Sequence, residues 1–124
     1  MNIHASAEDY LERILMLQNK NGNVRSIDIA TDMNYSKPSI SRAIKNLKES
    51  DYIIVDKHGF IELTRKGFEI ANRIYERHNI LTEVFMLLGV NKETALEDAC
   101  RVEHDLSEET FKAIQTHLEK TKHK

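Results

Sequence analysis

The fold is decided by residues 34–48, which read NYSKPSISRAIKNLK. Ser36 is a typical helix cap, and Pro38 fits the first turn of a helix, where its missing N–H costs little. We therefore predict a helix from Lys37 to about Glu49. Apolar residues recur along one side of this helix at Ile40, Ala43, Ile44 and Leu47. This stripe indicates that the side packs on the helices that precede it.

The opposite side of the same helix is polar and basic. Residues 34–48 contain four cations and no acid, whereas the whole chain has a net charge of −2. Phosphate contacts supply most of the affinity in DNA binding, so a local cluster of cations favours a DNA-reading helix. A basic face that only contacts solvent has the same composition. The elements that flank this helix favour the interpretation as a DNA-reading helix. The candidate DNA-contacting residues are Lys37, Pro38, Ser39, Ser41, Arg42, Lys45 and Lys48.

A short helix and a hairpin flank this helix. Ser26 can cap a helix from Ile27 to about Met33, whose apolar side we assign to Ile27, Ile29, Ala30 and Met33. After the DNA-reading helix, residues 52–56 and 60–64 are rich in β-branched and aromatic residues, which predicts two strands. The pattern is that of a winged helix-turn-helix. At the tip of the wing, Lys57 and His58 either approach DNA or are ordinary turn residues.

The N-terminal segment predicts a first helix from about Ala7 to Lys20, with Ser6 as its cap. Asp9 and Glu12 lie one turn apart on the side opposite the apolar residues. Periodicity alone favours solvated acids, although Met16 on the same side as Glu12 indicates that this side is not fully open to water.

The C-terminal half is helical and more apolar. Thr64 can cap a helix from Arg65 to about Asn79, whose stripe is Phe68, Ala71, Ile74, Tyr75 and finally His78. The run from Ile80 to Leu88 is more apolar than a domain of this size buries alone, which predicts a dimer interface.

Two further helices complete the chain, one from Lys92 to about Asp105 with Asn91 as its cap and one that follows a cap at Ser107. The first of them contains Cys100, Glu103 and His104, at positions i, i+3 and i+4. Side chains at this spacing share a helix face, so they form a half-site for a transition metal. The alternative is three unrelated residues, since a lone cysteine is usually a small hydrophobe.

Composition limits the class of protein. Of 124 residues, 40% are hydrophobic and 31% charged, which is typical of a folded and well-solvated chain. The start shows no signal peptide, no apolar run is long enough for a membrane, and one cysteine makes no internal disulfide. We expect a cytoplasmic, mainly α protein with a small β-hairpin. Residues 1–64 form a winged helix-turn-helix domain and residues 65–124 an all-helical dimerisation and metal-binding domain.

Several motifs carry a family resemblance. They are Glu8-Asp9-Tyr10-Leu11-Glu12, the winged helix-turn-helix, Arg77-His78, and Cys100-Arg101-Val102-Glu103-His104 followed by Leu106-Ser107. Together they resemble the diphtheria-toxin-repressor family, and most closely its short manganese-repressor branch. The resemblance covers nearly the whole chain, in order and at family-like spacing. It implies a homodimeric repressor that binds double-stranded operator DNA when Fe²⁺ or Mn²⁺ occupies a site between the winged domain and the dimerisation helices.

The resemblance also implies the metal ligands, which are Asp9, Glu12, His78, Cys100, Glu103 and His104. Asp9 matches the manganese branch, because the iron branch has methionine there. Cys100 matches the iron branch, because the manganese branch has glutamate there. The site is therefore a hybrid, and its thiolate favours Fe²⁺, Zn²⁺ or Co²⁺ while its carboxylates and imidazoles suit Mn²⁺ or Fe²⁺.

Two features of the longer family members are not expected here. The sequence ends after the last dimerisation helix, so we expect a short form without the SH3-like domain. Thr82 and Leu96 stand where the iron branch has polar ligands of an ancillary site, so that site is not expected either.

We therefore predict a repressor whose corepressor is the metal, with no enzymatic activity, organic cofactor or membrane partner. The main alternative is a winged-helix regulator of a small organic ligand, with the acids and histidines merely structural. A metalloenzyme with a carboxylate-rich helical site is a weaker alternative, because the wing would have no role in it. The sequence also lacks the doubled Glu-x-x-His pairs of a di-iron bundle. A constitutive architectural protein would bind DNA equally well in chelator.

Overall fold

The computed structural model describes the backbone of residues 3–122 and the side chains of residues 7–122. The elements in this range are α1 (Ile3–Asn21), α2 (Ser26–Met33), α3 (Lys37–Glu49), β1 (Ile53–Val55), β2 (Ile61–Leu63), α4 (Arg65–Leu87), α5 (Lys92–Val102) and α6 (Glu108–Lys122). The predicted class, mainly α with a small hairpin, is confirmed. The chain divides into two compact units, with the boundary inside α4 between Arg73 and Ile74.

The first unit is a winged helix-turn-helix. α1, α2 and α3 pack together around buried aliphatic side chains, among them Leu11, Ile14, Ile29, Ile40 and Ile44. β1 and β2 pair antiparallel, with Ile53 opposite Leu63 and Val55 opposite Ile61. The backbone N–H of Ile61 donates to the carbonyl of Val24 at 2.7 Å, which ties the wing to the segment after α1.

Helix starts differ from prediction at two places. α1 begins at Ile3, so Ser6 lies inside the helix and is not its cap; the Ser6 side chain is outside the described residues. At α2 the cap is Arg25, whose N–H donates to the Asp28 carboxylate at 2.9 Å, and the predicted cap Ser26 is the first helical residue. Ile27, assigned to the apolar side of α2, is 51% exposed.

The junction between the wing and α4 is tightly built. Thr64 caps α4 as predicted, because its Oγ1 accepts from the Gly67 N–H at 3.1 Å. The same hydroxyl donates to the Asp51 carbonyl at 2.7 Å. Gly67 packs so closely on Tyr52 that a Cβ there would overlap the Tyr52 carbonyl oxygen. This position therefore requires glycine for space.

The second unit consists of the rest of α4 with α5 and α6. Its buried side chains include Ile74, Leu81, Ala95, Ala99, Phe111 and Leu118. α4 continues past Asn79, its predicted end, to Leu87. The predicted end was wrong because the apolar run after Asn79 keeps helical spacing. Phe68 on the predicted stripe is 46% exposed.

The caps of α5 and α6 follow the prediction. The Asn91 side chain accepts from Thr94 N–H at 2.9 Å, and Ser107 Oγ accepts from Thr110 N–H at 3.1 Å. α5, however, ends at Val102 and not at Asp105. Among the described residues, none of the helices is long and apolar enough to cross a membrane.

Candidate metal centre

Three side chains of the second unit converge on one point. His78 comes from α4, Cys100 from α5, and Glu103 is the residue that follows α5. One nitrogen, sulfur or oxygen atom of each lies within 4.8 Å of the other two. His78 Nδ1 is 3.0 Å from Glu103 Oε2 and 3.7 Å from Cys100 Sγ. The structure thus brings these three predicted ligands together within the second unit.

The spacing of these three atoms fits a metal ion. With metal–ligand bonds of about 2.0–2.3 Å, neighbouring donors lie roughly 2.8–3.8 Å apart in octahedral and tetrahedral sites. The two separations from His78 Nδ1 fall inside that range. An imidazole, a thiolate and a carboxylate are also the donor set that Fe²⁺, Zn²⁺ and Co²⁺ accept.

Burial distinguishes this cluster from a surface group of polar residues. His78 is 5% exposed and Glu103 is 0% exposed. Residues of these types are rarely buried so completely unless they are paired, hydrogen-bonded or bound to a metal. Glu103 is therefore not a residue on an exposed helix face, while Cys100 is half-buried, and the role of both as metal ligands stays a prediction.

Glu103 keeps its place although the helix ends before it. Its φ of −56° and ψ of −31° are still helical, and its N–H donates to the Ala99 carbonyl at 3.0 Å. The i, i+3 relation between Cys100 and Glu103 therefore survives. His104 lies in the turn after α5, where its Nε2 is 3.4 Å from Glu103 Oε1.

Asp9 and Glu12 lie in the first unit, one turn apart on α1. Glu12 is only 3% exposed, and Asp9 is half-buried. The interpretation of Glu12 as a solvated acid is therefore wrong, because periodicity in one helix cannot report what covers its polar side. The role of both residues as metal ligands stays a prediction.

Arg77 is a residue that sequence reasoning noted only as part of a motif. It is 5% exposed, and its guanidinium donates to the carbonyls of Glu103 at 3.0 Å and Leu106 at 2.9 Å. It also donates to the Glu108 carboxylate at 2.9 Å. A signal was present, since Arg77 stands at i+3 from buried Ile74 and at i−4 from buried Leu81.

The predicted DNA-binding residues lie in the first unit, on α3 and the wing. Their side chains are exposed at Lys37, Pro38, Ser41, Arg42, Lys45, Lys48 and Lys57. Ser39 is half-buried, and its hydroxyl accepts from Ser36 Oγ at 2.9 Å. Their contact with DNA stays a prediction.

Tyr35, in the turn before α3, is a further exposed residue on this unit that the sequence did not single out. It is 50% exposed, and its ring meets that of Tyr10 edge-on, with centroids 6.2 Å apart. Burial, followed by the neighbouring Tyr35 and Asp9, raises the pKa of Tyr10 above its ordinary value.

Comparisons with known proteins match both units. Residues 2–60 match the model of the iron dependent repressor N-terminal DNA binding domain, and residues 64–124 match that of its metal binding and dimerisation domain. An uncharacterised HTH-type transcriptional regulator of Methanocaldococcus jannaschii is 34% identical over 96% of this chain and 97% of its own length. The HTH-type transcriptional regulator MntR of Bacillus subtilis is 34% identical over 82% of this chain and 72% of its own length.

Solved structures agree in fold. A manganese-dependent transcriptional repressor in complex with manganese superposes with a TM-score of 0.81 at 28% identity. The alignment covers 90% of this chain and 52% of that one. The chain therefore spans about half the length of that structure.

Proposed function

The chain belongs to the family of iron- and manganese-dependent transcriptional repressors, and from this premise we propose that a divalent metal ion acts as its corepressor. In the proposed mechanism, metal binding selects the state of the protein that binds operator DNA tightly. A ligand shifts such an equilibrium only through its different affinities for the two states. The proposal therefore predicts that metal and operator strengthen each other's binding.

The convergence of His78, Cys100 and Glu103 is the observation that carries this proposal. Two of the three are buried, and their donor atoms lie at metal-like separations. We assign the remaining ligands from the family resemblance to Asp9, Glu12 and His104. The bound cation supplies charge neutralisation and directional bonds, and the chain supplies nitrogen, sulfur and oxygen donors in fixed places.

We propose Fe²⁺ or Mn²⁺ as the physiological metal. The carboxylates and imidazoles suit both ions, and the Cys100 thiolate favours Fe²⁺ over Mn²⁺ and also accepts Zn²⁺ or Co²⁺ in vitro.

The DNA-binding state is proposed to be a homodimer. Met86, Leu87 and Leu88 at the end of α4 are 44%, 60% and 76% exposed. Three adjacent exposed apolar side chains at a helix end are typical of an interface between subunits. A two-fold dimer presents two copies of α3, and these match an operator whose half-sites are about 34 Å apart.

The basic side of α3 is proposed to read that operator. Lys37, Arg42 and Lys45 are exposed, and residues 34–48 contain no acid to offset them. These cations bind phosphates and base edges in the major groove. A metal effector requires no turnover, so we propose a regulator without enzymatic activity, located in the cytoplasm with its operator.

The proposal is tested by measuring binding to the DNA upstream of the protein's own gene, in chelator and with Mn²⁺, Fe²⁺ and Zn²⁺ in parallel. We expect metal to raise the affinity by roughly 5–150-fold, the usual range of coupling between two sites. Scrambled DNA of the same length is the control for non-specific binding. Equal operator affinity in chelator and in every metal would contradict the proposal.

The same assay separates the main alternative function. If an organic ligand is the effector, Glu12→Ala, His78→Ala and Glu103→Ala leave DNA binding and its regulation intact. If the metal is the effector, each of these variants loses the metal response while keeping its binding to DNA in chelator.

A further inference from the structure

We propose that Arg77 is a positioning residue of the metal centre. It holds the turn 103–107 so that Glu103 and His104 face the metal ion. The inference rests on the proposed function, because it concerns the same site. Arg77 is not itself a ligand, since a guanidinium has no lone pair to offer and stays protonated in proteins.

The turn 103–107 carries Glu103 and His104, two of the predicted ligands. It joins α5 to α6, and inside it the Asp105 N–H donates to the Val102 carbonyl at 3.0 Å. The ligand-bearing part of the site therefore sits at a helix end. Such ends commonly fray, and precise ligand placement then requires an outside support.

Arg77 provides that support from a different helix. One guanidinium nitrogen, Nη1, donates to the main-chain carbonyls of both Glu103 and Leu106, at 3.0 Å and 2.9 Å. These two carbonyls bracket His104 and Asp105, so the bonds fix the path of the chain on both sides of His104. The rigid fork of arginine makes such multiple contacts at lower entropic cost than lysine.

The guanidinium is itself held in place. Nη2 donates to the Glu108 carboxylate at 2.9 Å, and the guanidinium carbon lies 5.1 Å from the centre of the Phe111 ring. Both partners belong to α6, so a single buried side chain of α4 connects the end of α5 to the start of α6. Breaking a buried, charge-assisted network of this kind loosens every group that it holds.

The neighbouring residue completes the argument. Arg77 holds the main chain of Glu103, while His78 contacts the side chain of Glu103 at 3.0 Å. Arg77 and His78, two consecutive residues of α4, therefore fix both the main chain and the side chain of Glu103. Residues that orient metal ligands in this way typically change metal affinity by roughly 10–100-fold when they are replaced.

The test compares Arg77→Lys with the wild-type chain in Co²⁺ titrations followed by absorption. Lysine keeps the charge and loses the fork. We expect a roughly 10–100-fold weaker Co²⁺ affinity and altered d–d bands, because the ligands move. In the metal-free protein we expect faster hydrogen exchange at the Asp105 amide. Wild-type affinity, spectrum and exchange in Arg77→Lys would overturn the inference.

A second pair of variants keeps the inference testable if Arg77→Lys does not fold. Glu108→Ala removes one of the four groups that contact the guanidinium, at a side chain that is 58% exposed. We expect a smaller but measurable loss of Co²⁺ affinity. Glu109→Ala, the next exposed acid of the same helix turn, is the matched control and should bind as the wild type does. Equal affinity in Glu108→Ala and Glu109→Ala would overturn the inference.

These experiments also separate the two levels of the proposal. A wild-type chain that binds no Co²⁺ would remove the proposed function, and this inference with it. A wild-type chain that binds Co²⁺, together with variants that bind it equally well, would remove only the inference about Arg77.

Discussion

The basic face of α3 and the buried cluster of His78, Cys100 and Glu103 are both polar, and they are built in opposite ways. The cations of α3 are exposed. In the cluster His78 and Glu103 are buried, and His78 Nδ1 lies 3.0 Å from Glu103 Oε2 and 3.7 Å from Cys100 Sγ. Exposed charges act nearly independently, whereas buried ones depend on each other. A single substitution on the basic face should therefore lower DNA affinity only in part. A single substitution in the cluster should disable metal binding.

The largest effect is expected at the centre of the cluster, from Glu103→Gln. Glutamine keeps the shape of glutamate and removes its charge, so the site loses a donor that metals strongly prefer. We expect metal affinity to fall by at least about 100-fold, more than loss of a supporting residue costs. Isothermal titration with Mn²⁺ and Co²⁺ measures the change, and DNA binding in chelator should be unchanged.

Glu97→Gln on the exposed side of α5 is the matched control for this variant. It removes the same charge from the helix that precedes Glu103, and its metal affinity should equal that of the wild type. A similar loss in both variants would show that overall charge, and not the cluster, sets the affinity. A wild-type affinity in Glu103→Gln would remove Glu103 from the ligand set.

The next largest effect is expected at the junction between the wing and α4, from Gly67→Ala. A methyl group at this position overlaps the Tyr52 carbonyl, a backbone atom that cannot move alone. Forced overpacking of this kind typically costs about 1–3 kcal/mol of folding free energy. Urea unfolding measures the loss.

Glu69→Ala, at an exposed position in the same part of α4, is the control for Gly67→Ala. Its loose ion pair with Arg65 has an N···O distance of 3.6 Å, so its removal should cost less than about 1 kcal/mol. Equal stability of Gly67→Ala and the wild type would show that the wing and α4 shift apart without cost.

The sequence predicted the start of α3 and the turn of the wing because both are encoded locally. Ser36 and Pro38 define the start of α3, and the Ser39 N–H does donate to the Ser36 hydroxyl, at 3.3 Å. At the wing, the Asp56 carboxylate accepts from the N–H groups of His58 and Phe60, at 2.8 Å and 3.0 Å. Signals of this kind lie within a few residues, and single-sequence reasoning reads them.

The buried cluster was only half predictable for the same reason. The i, i+3 spacing brought Cys100 and Glu103 together, but nothing local places them beside His78, which is 22 residues away from Cys100 in the chain. The family resemblance supplied that link. Arg77 was noted only within a motif because, although its spacing from Ile74 and Leu81 was visible, two of its partners are main-chain carbonyls, which leave no pattern in the sequence. Burial of Glu12 was missed because periodicity in one helix does not show what packs on it.

A smaller effect is expected from Lys45→Ala on the basic face. Each phosphate contact contributes about one unit to the slope of log affinity against log salt. We therefore expect the slope to become shallower by about one unit, equally for operator and scrambled DNA, with folding stability unchanged. Fluorescence anisotropy across a salt series measures it, and Lys112→Ala on exposed α6 is the control. An unchanged slope would exclude Lys45 from the phosphate contacts.

The smallest effect is expected at the tip of the wing, from Lys57→Ala. Lys57 is as exposed as Lys45, but the Asp56 carboxylate precedes it and offsets its charge, whereas residues 34–48 carry no acid. We expect the salt slope to become shallower by less than about one unit.

Asp56→Asn sharpens the test, because its amide oxygen still accepts the two N–H bonds that hold the turn while the negative charge is gone. If the wing touches DNA, this variant binds more tightly than the wild type and its slope is steeper. If Lys57→Ala and Asp56→Asn both leave the slope unchanged, the wing lies away from DNA and α3 alone supplies the contacts of the first unit.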